Sequence, residues 1–446
     1  MKRSTARAER TTVNGSPVVL HNARLIDGTG APPVVDGALV VDGPRIGWCG
    51  PAEHLPDGPE LRGAVRVDLG GRTVCPGFFD VHVHFALPGP AGSPAAGVGE
   101  PVSYRVLKVL DRLRTTLHNG VTTARDLMGI DAGFRRAVAE RRVEGPRLLV
   151  AVAMLSQTAG HADFRLPGGL DGLEAAVALP GSPGNIVDTV DEIRARVRAL
   201  VAAGADCVKL ATSGGVTSPH DRPEWLGLRP EMVRAAVEEA AAYGGLPVAV
   251  HAIGEAGIAA AVRSGVASIE HGYALTDELR AEMAARGQFL VPTLLETMAE
   301  PDPARVPPAV YEKAVRWHRT AQESFARSVD AGVRVALGTD AGLTAPHGAN
   351  LRELGLMVRF GGLTPLKAIR AATADAAELC GVADTVGSLT AGRTADLVVC
   401  GTDPLADIDS LGDPRTIHAV VKEGRVAIDR AGVLRDAGLP GLVPQR

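Results

Sequence analysis

The sequence predicts an α/β protein, a (β/α)8 TIM barrel carrying a small β-sandwich domain built from both chain ends. Three observations predict it. The middle of the chain alternates eight short apolar β runs with amphipathic helices rich in Ala, Arg, Glu and Leu, the form that βαβ units around a parallel sheet take in sequence. Both ends instead carry closely spaced β-rich runs broken by Gly, Pro and Asp turns. The chain has 446 residues, whereas a barrel alone takes about 250, so there is room for a companion domain.

From about Val18 to Val74 the runs VVLHNARLID, GALVVDG, RIGWCG and VRVDLGGRTVCP read as strands joined by hairpins, with no strong helix before Pro76. The barrel runs follow as GFFDVHVH, GVTTARDL, RLLVAVAM, DCVKLA, LPVAVHA, VASIEH, QFLVPT and VRVALGTD. Between them lie helical stretches such as DEIRARVRALVAAG and RPEMVRAAVEEAAAYGG. The connection from about Ser156 to Asn185 is long and rich in Gly, Pro and Asp. Loops of that size on the C-terminal side of a barrel suit substrate binding, with an ordinary surface insertion as the alternative. A helical stretch around Pro365 to Cys380 precedes two more strand-like runs, GSLTAGRTADLVVCG and IHAVVKEGRVAID. The expected division is 1–75 and 381–446 as the composite β domain, with 76–380 as the barrel.

Composition narrows the function. The chain is 46% hydrophobic and 22% charged, as ordinary globular proteins are. A formal net charge of -4, with both signs interspersed, leaves no footprint for nucleic acid or a membrane surface, so the expected partner is a small molecule. The basic N-terminus is not followed by the apolar core of a secretory signal, and no stretch of about 18 apolar residues occurs, so the expected location is the cytoplasm. The cysteines Cys49, Cys75, Cys207, Cys380 and Cys400 are odd in number, scattered and free of any CxxC pair, which argues against a disulfide framework or a thiolate zinc site. Aromatic content of 3% supplies few stacking platforms.

The chemistry sits at the ends of the apolar runs. His82 and His84 stand two residues apart, and strand periodicity turns both to one face, where they could chelate a metal. Alone, such a pair can be chance. Lys209, His251, His271 and Asp340, however, each fall near the end of a different apolar run, and in a closed barrel those ends converge on one mouth. Singly, His251 or His271 would pass for a hydrogen-bonded structural histidine and Asp340 for a helix cap. Lys209 interrupts an apolar strand in a chain poor in lysine, and a buried lysine needs a compensating partner.

In order, PGFFDVHVH, VKLATSGG, AVHAIG, SIEHGY and LGTDAG resemble the amidohydrolase superfamily, over nearly the whole chain. GVTTARDL, TAGHAD around His161, TSGGVTSP after Lys209 and HGANLREL around Asn350 resemble the branch related to imidazolonepropionase and Xaa-Pro dipeptidase. That branch includes carboxypeptidases acting on N-acyl amino acids, ochratoxin-degrading amidases and phenylurea hydrolases. The resemblance implies that His82, His84 and Asp340 hold one metal and His251 and His271 another. Lys209 would bridge them as an N6-carboxylysine formed with carbon dioxide. Ligands of nitrogen and oxygen suit zinc, with manganese, iron or cobalt as alternatives. Such a pair of cations supplies a bridging hydroxide near neutral pH, with Asp340 as general base and then general acid. By resemblance His161 would bond the substrate carbonyl or developing oxyanion; Asp126, at the end of the second run, reads as organising contacts behind the site or barrel packing rather than chemistry.

One departure concerns specificity. Dipeptidase-like members of the branch commonly carry HAYG, where this chain has HAIG with Ile253. Loss of a tyrosine that would grip a substrate carboxylate favours a more apolar amide, carbamate or urea. Arg165 and Arg222, in loops, are candidate replacement cations, with plain surface arginines as the alternative. The leading expectation is hydrolysis of an N-acyl amino acid, aryl amide, carbamate or urea by a homo-oligomer of the kind its relatives form. The alternatives are a cyclic amidohydrolase or imidazolonepropionase- or deaminase-like ring hydrolase, and a noncatalytic scaffold of the same fold.

Overall fold

The computed structural model describes residues 16–87, 100–165, 181–218, 220–298, 302–304 and 306–443. The basic N-terminus and the middle of the expected substrate loop, 166–180, lie outside the described residues. The N-terminal end supplies β1 (Val18–Leu25), β2 (Val34–Asp42), β3 (Arg45–Pro51), β4 (Val65–Asp68) and β5 (Thr73–Pro76). Among its described residues the helical turns are short 3-10 segments at Ala52–His54 and Pro59–Leu61, consistent with the Gly- and Pro-rich spacing.

The middle alternates as its sequence requires. The strands are β6 (Phe78–Val83), β7 (Val121–Asp126), β8 (Arg147–Val150), β9 (Met154–Leu155), β10 (Val208–Ala211), β11 (Val248–Ala252), β12 (Ser268–His271), β13 (Phe289–Val291) and β14 (Arg334–Val335). Amphipathic helices connect them: α1 (Val102–His118), α2 (Ala132–Ala139), α3 (Val190–Ala202), α4 (Pro230–Ala242), α5 (Glu255–Arg263), α6 (Asp277–Arg286) and α7 (Pro308–Asp330). Their ends carry the expected local chemistry. A capping box between Thr189 and Glu192 starts α3, and Thr276 and left-handed Gly287 bound α6. After β14 come α8 (Arg352–Gly361), α9 (Pro365–Ala371) and α10 (Ala374–Leu379), followed by β15 (Leu397–Cys400), β16 (Ile417–Lys422) and β17 (Arg425–Asp429).

The barrel-type strands pair in parallel as a three-stranded sheet, β6-β7-β8, and a six-stranded one, β9 through β14. β8 and β9 are the two halves of the single run RLLVAVAM, broken at Val152, whose φ is 68°. A β-branched residue in that region is strained, a cost met here by redirecting the chain. At the other margin, Val81 donates to the Leu337 carbonyl at 2.9 Å, His84 to Ala341 at 2.8 Å and Asp340 to His82 at 2.8 Å. These bonds tie the first strand to the segment following the last.

The strands from the two chain ends form one eight-stranded sheet, β17-β16-β15-β5-β1-β2-β3, with β4 also on β1. The join between the ends is β15 against β5, Val398 opposite Cys75 and Val399 opposite Val74. Strand alternation then sorts side chains between two cores. Val74, Leu397 and Val399 pack with Leu20, Leu39 and Val421 in one core of this sheet, whereas Cys75, Val398 and Cys400 enter the larger core with Phe78 and Leu113. Burial of each such aliphatic side chain contributes about 1.5–3 kcal/mol. With few aromatics to spend, the chain welds its two parts with Val, Leu, Ile and Cys.

Among the described residues, no helix is long and apolar enough to cross a membrane.

Candidate metal centre and active site

Five strand ends bring the expected residues together. His82 lies on β6 and His84 one residue past its end, Lys209 is on β10, His251 on β11, His271 closes β12, and Asp340 follows β14. The rings of His82 and His84 are 5.3 Å apart between centroids, those of His82 and His271 5.2 Å, and those of His251 and His271 4.6 Å. Asp340 Oδ1 stands 3.1 Å from His84 Nε2 and 3.4 Å from His82 Nε2. Donor atoms of His82, His271 and Asp340 all fall within 4.8 Å of one another, a spacing that could hold a metal ion. His271 and Asp340 both have left-handed backbones, φ 72° and 58°. Such conformations are costly for non-glycine residues and cluster at functional sites.

Each imidazole is oriented from behind. His84 Nδ1 bonds the Met128 carbonyl at 3.2 Å, His271 Nδ1 the Thr293 hydroxyl at 2.8 Å, and His251 Nε2 the Gly214 carbonyl at 3.1 Å, which leaves the opposite nitrogen of each ring for other partners, Asp340 in the case of His84. His82 Nδ1 lies 2.9 Å from Glu270 Oε2, close but not aligned as a hydrogen bond. Glycine makes room at two points. A side chain at Gly215 would come within 2.1 Å of the His161 ring, and one at Gly342, where φ is 146°, within 2.5 Å of the His84 carbonyl.

Charge states follow from burial and neighbours. Burial alone would raise the Asp340 carboxyl, yet His82, His84 and His271 hold it well below the usual carboxylate range. Burial and then Lys209 push His82 far down, burial does the same to His251, and it takes His271 down to about 4. Burial also disfavours the His84 cation, but there the hydrogen bond and charge of Asp340 win and raise it. Burial lowers Lys209 to about 8 against the pull of Glu270 and Asp340, and its Nζ is buried with no hydrogen-bond partner. Imidazoles that burial keeps neutral at His82, His251 and His271, a His84 ring paired with Asp340, an ionised carboxylate and an orphaned amine are a donor set that could hold a divalent cation.

The remaining expected residues spread out. His161 stacks on His251, centroids 4.0 Å apart and planes 14° from parallel, and its Nδ1 lies 2.9 Å from Asp221 Oδ2. Asp126 accepts the backbone N–H groups of Phe85, Met128 and Ile130, so it braces the loops leaving β6 and β7. Ile253 is buried with Tyr273 and Trp317 in an apolar cluster flanking His271. Arg165 is gripped by the Asp163 carboxylate through Nε at 2.7 Å and Nη2 at 2.6 Å. Arg222 is exposed, stacked 5.9 Å over Trp225 in a side cavity bordered by Lys313 and Trp317.

Four residues not singled out from sequence complete the site's support. Glu270, fully buried on β12, receives Arg125 Nη2 at 3.1 Å and Ser268 Oγ at 2.5 Å. Arg125 is equally buried and also donates to the Val81 carbonyl at 2.6 Å. Asp80 takes bonds from His82 N, Thr339 and Asn350, holding β6 to the Asp340 segment. Asp221 anchors His161. Arg125 and Glu270 carried the same signal as Lys209, a charge inside an apolar strand; Asp221, in a loop of ordinary polarity, carried none.

Imidazoles and a carboxylate gathered at the C-terminal ends of parallel strands, flanked by α-helices, form in this α/β fold a hydrolase-type site that could hold a metal. The chain belongs to the amidohydrolase family, which residues 73–427 match, and is accordingly a hydrolase of carbon–nitrogen bonds. It is 31% identical over 429 residues to ochratoxinase of Aspergillus niger, covering 93% of this chain and 88% of that one. It is 28% identical over 415 residues to imidazolonepropionase of Paracoccus denitrificans, covering 85% and 92%. A solved Xaa-Pro dipeptidase with bound methionine superposes with a TM-score of 0.82 at 29% identity, covering 92% of this chain and 99% of the other.

Proposed function

We propose that this protein hydrolyses an amide-type bond in a small molecule, an N-acyl amino acid, aryl amide, carbamate or urea, with His82, His84, Lys209, His251, His271 and Asp340 holding two divalent cations. The observation that carries this reading is that donor atoms of His82, His271 and Asp340 lie within 4.8 Å of one another, with Asp340 Oδ1 3.1 Å from His84 and the His251 ring 4.6 Å from that of His271. When bound, the cations, zinc by the donor set, would activate water and polarise the scissile carbonyl. Lys209 fits them as a carbamate: its burial favours the neutral amine that reacts with carbon dioxide, and the anionic product would give the orphaned Nζ position a ligand oxygen. Carboxylation of Lys209 belongs to the proposal.

Asp340 is held ionised and so accepts the proton released as water adds to the carbonyl carbon. It then delivers that proton to the departing nitrogen as the C–N bond breaks. Asp221 holds the His161 ring by its Nδ1–H, and a proton on Nε2 would make that ring a donor to the developing oxyanion. Ile253, Tyr273 and Trp317 offer an apolar wall, which favours an apolar substrate group over a free carboxylate. Arg165 is occupied by Asp163, so Arg222 is the better placed of the two arginines to meet an anionic group.

In the same reading the two parallel sheets close as one (β/α)8 barrel over 76–380, and 1–75 with 381–446 fold as the companion sandwich. The Val81–Leu337 bond and the β5–β15 pairing support that division. The similarity to imidazolonepropionase favours a cyclic amide as the second reading.

The test is metal content together with turnover of Asp340→Asn beside wild type on N-acyl amino acids, dipeptides, anilides, carbamates, phenylureas and cyclic amides. About two metals per chain, with turnover lost in the variant, is expected. One metal or none after preparation with zinc and bicarbonate, and no turnover of any compound, would overturn the reading.

A further inference from the structure

At the end of the barrel opposite the mouth lies a second polar cavity, of about 410 Å3, between the barrel and the composite sheet. Arg141, in the α2–β8 connection, and Arg147, which starts β8, come from the barrel; Arg45 and Arg425 come from the two chain ends. Glu423 is the only carboxylate lining it among the described residues. That carboxylate is already engaged by Arg147 Nη2 at 3.2 Å and Lys422 Nζ at 3.4 Å. Arg147 turns its other arm to Asp396 at 2.7 Å, and Arg45 Nη1 donates to the Gly392 carbonyl at 2.7 Å.

Among the described residues Arg45, Arg141 and Arg425 form no ion pair, although the charge of Glu423 acts on Arg425. Among the described residues the Arg425 guanidinium has only the Gly441 carbonyl as a hydrogen-bond partner, at 3.4 Å, and the Arg141 guanidinium has none. The two repel one another: burial and then the charge of Arg141 hold Arg425 below its ordinary range. Arg141 also has a left-handed backbone, φ 55°, which a side chain bears at a cost. Five cations therefore surround two carboxylates that are both spoken for. In a partly enclosed space that excess is unfavourable unless an anion relieves it.

We propose that this cavity binds a small dianion, a phosphoryl group or a dicarboxylate, between Arg141 and Arg425. Guanidinium forks match both chemistries, since each presents paired oxygens to parallel N–H donors. Thr394 also lines the cavity, and a threonine hydroxyl can donate or accept a hydrogen bond. Because the cavity is walled by both parts of the molecule, occupancy ties the composite sheet to the barrel and stabilises the native state by mass action. The site is independent of the metal centre, at the other end of the strands.

The test is titration calorimetry of the full-length, metal-loaded protein with inorganic phosphate and, separately, succinate at constant ionic strength. Arg141→Gln, Arg425→Gln, Arg425→Lys and the control Arg319→Gln are carried alongside. Saturable binding near one anion per chain is expected, weakened about tenfold or more in each Gln variant, intermediate in Arg425→Lys and unchanged in the control. The ligand should raise the melting temperature of wild type and not of Arg141→Gln, whose unliganded melting temperature reports whether it folds. Preference for phosphate or for succinate identifies which dianion the site takes. Absence of saturable binding, or equal binding in wild type and the Gln variants, which would place the anion at the metal centre, overturns the proposal.

Discussion

His161 Nδ1 lies 2.9 Å from Asp221 Oδ2, and the same imidazole stacks on His251 with ring centroids 4.0 Å apart. Burial would raise the Asp221 carboxyl, but its bond to His161 holds it below the ordinary range, so it is an ionised acceptor near neutral pH. A second bond, from Gly215 N at 3.1 Å, fixes the other carboxylate oxygen, and Lys313 stands behind it at 3.9 Å. The ring is thus held by its edge and its face.

Removing that hold should cost turnover more than stability. Asp221→Ala is expected to lower kcat/KM about 10–100-fold, the usual effect of losing a group that orients a functional histidine, while metal content stays at the wild-type value. Steady-state kinetics with metal analysis checks it; unchanged kinetics would remove His161 from the reaction.

Gly215→Ala should reproduce that loss by another route. The added methyl would sit 2.1 Å from the His161 ring, so the ring must leave its place against His251. A fall in kcat/KM comparable with Asp221→Ala, with the double variant little worse than either single one, is expected in a double-mutant cycle.

Glu270 joins Arg125 at 3.1 Å and faces His82 at 2.9 Å, all three buried. Glu270→Gln leaves Arg125 as an uncompensated buried cation, and stability should fall by about 3–5 kcal/mol. Replacing both, Arg125→Met with Glu270→Gln, should cost clearly less than the sum of the single changes. Denaturant unfolding measures all three, and strict additivity would deny the pair.

Lys209 carries a pH signature in metal-free protein kept clear of carbon dioxide. Its folded value, about 8, lies below the unfolded 10.5, so the buried charge penalises the native state fully below about pH 8. The penalty fades as pH rises from there to the unfolded value. Lys209→Met should therefore stabilise the metal-free chain by about 3 kcal/mol at pH 7 and by progressively less toward pH 10.5. With zinc and bicarbonate the order should reverse at neutral pH, because only the lysine can ligate. Thermal unfolding across pH tests both signs.

Much of this was legible along the chain. The eight apolar runs, the two β-rich ends and the ordered motifs carrying His82, His84, Lys209, His251, His271 and Asp340 all rest on local patterns, and the strands form where those patterns lie. RLLVAVAM is a single run in sequence, and only packing breaks it at Val152 into β8 and β9. The last run survives as two paired residues, Arg334 and Val335, before the chain turns to deliver Asp340.

Sequence by itself determined which residues could do chemistry and on which strands they stand, because side-chain type and periodicity of two or 3.6 are properties of neighbours in the chain. Tertiary structure decided who holds them. Glu270 meets Arg125 across 145 positions, Asp221 meets His161 across 60, and Asp80 meets Asn350 across 270. It also decided that the Arg141 guanidinium has no partner among the described residues. Such pairings follow from how the strands and helices pack, since a buried polar group takes whichever partner the fold brings within about 3 Å.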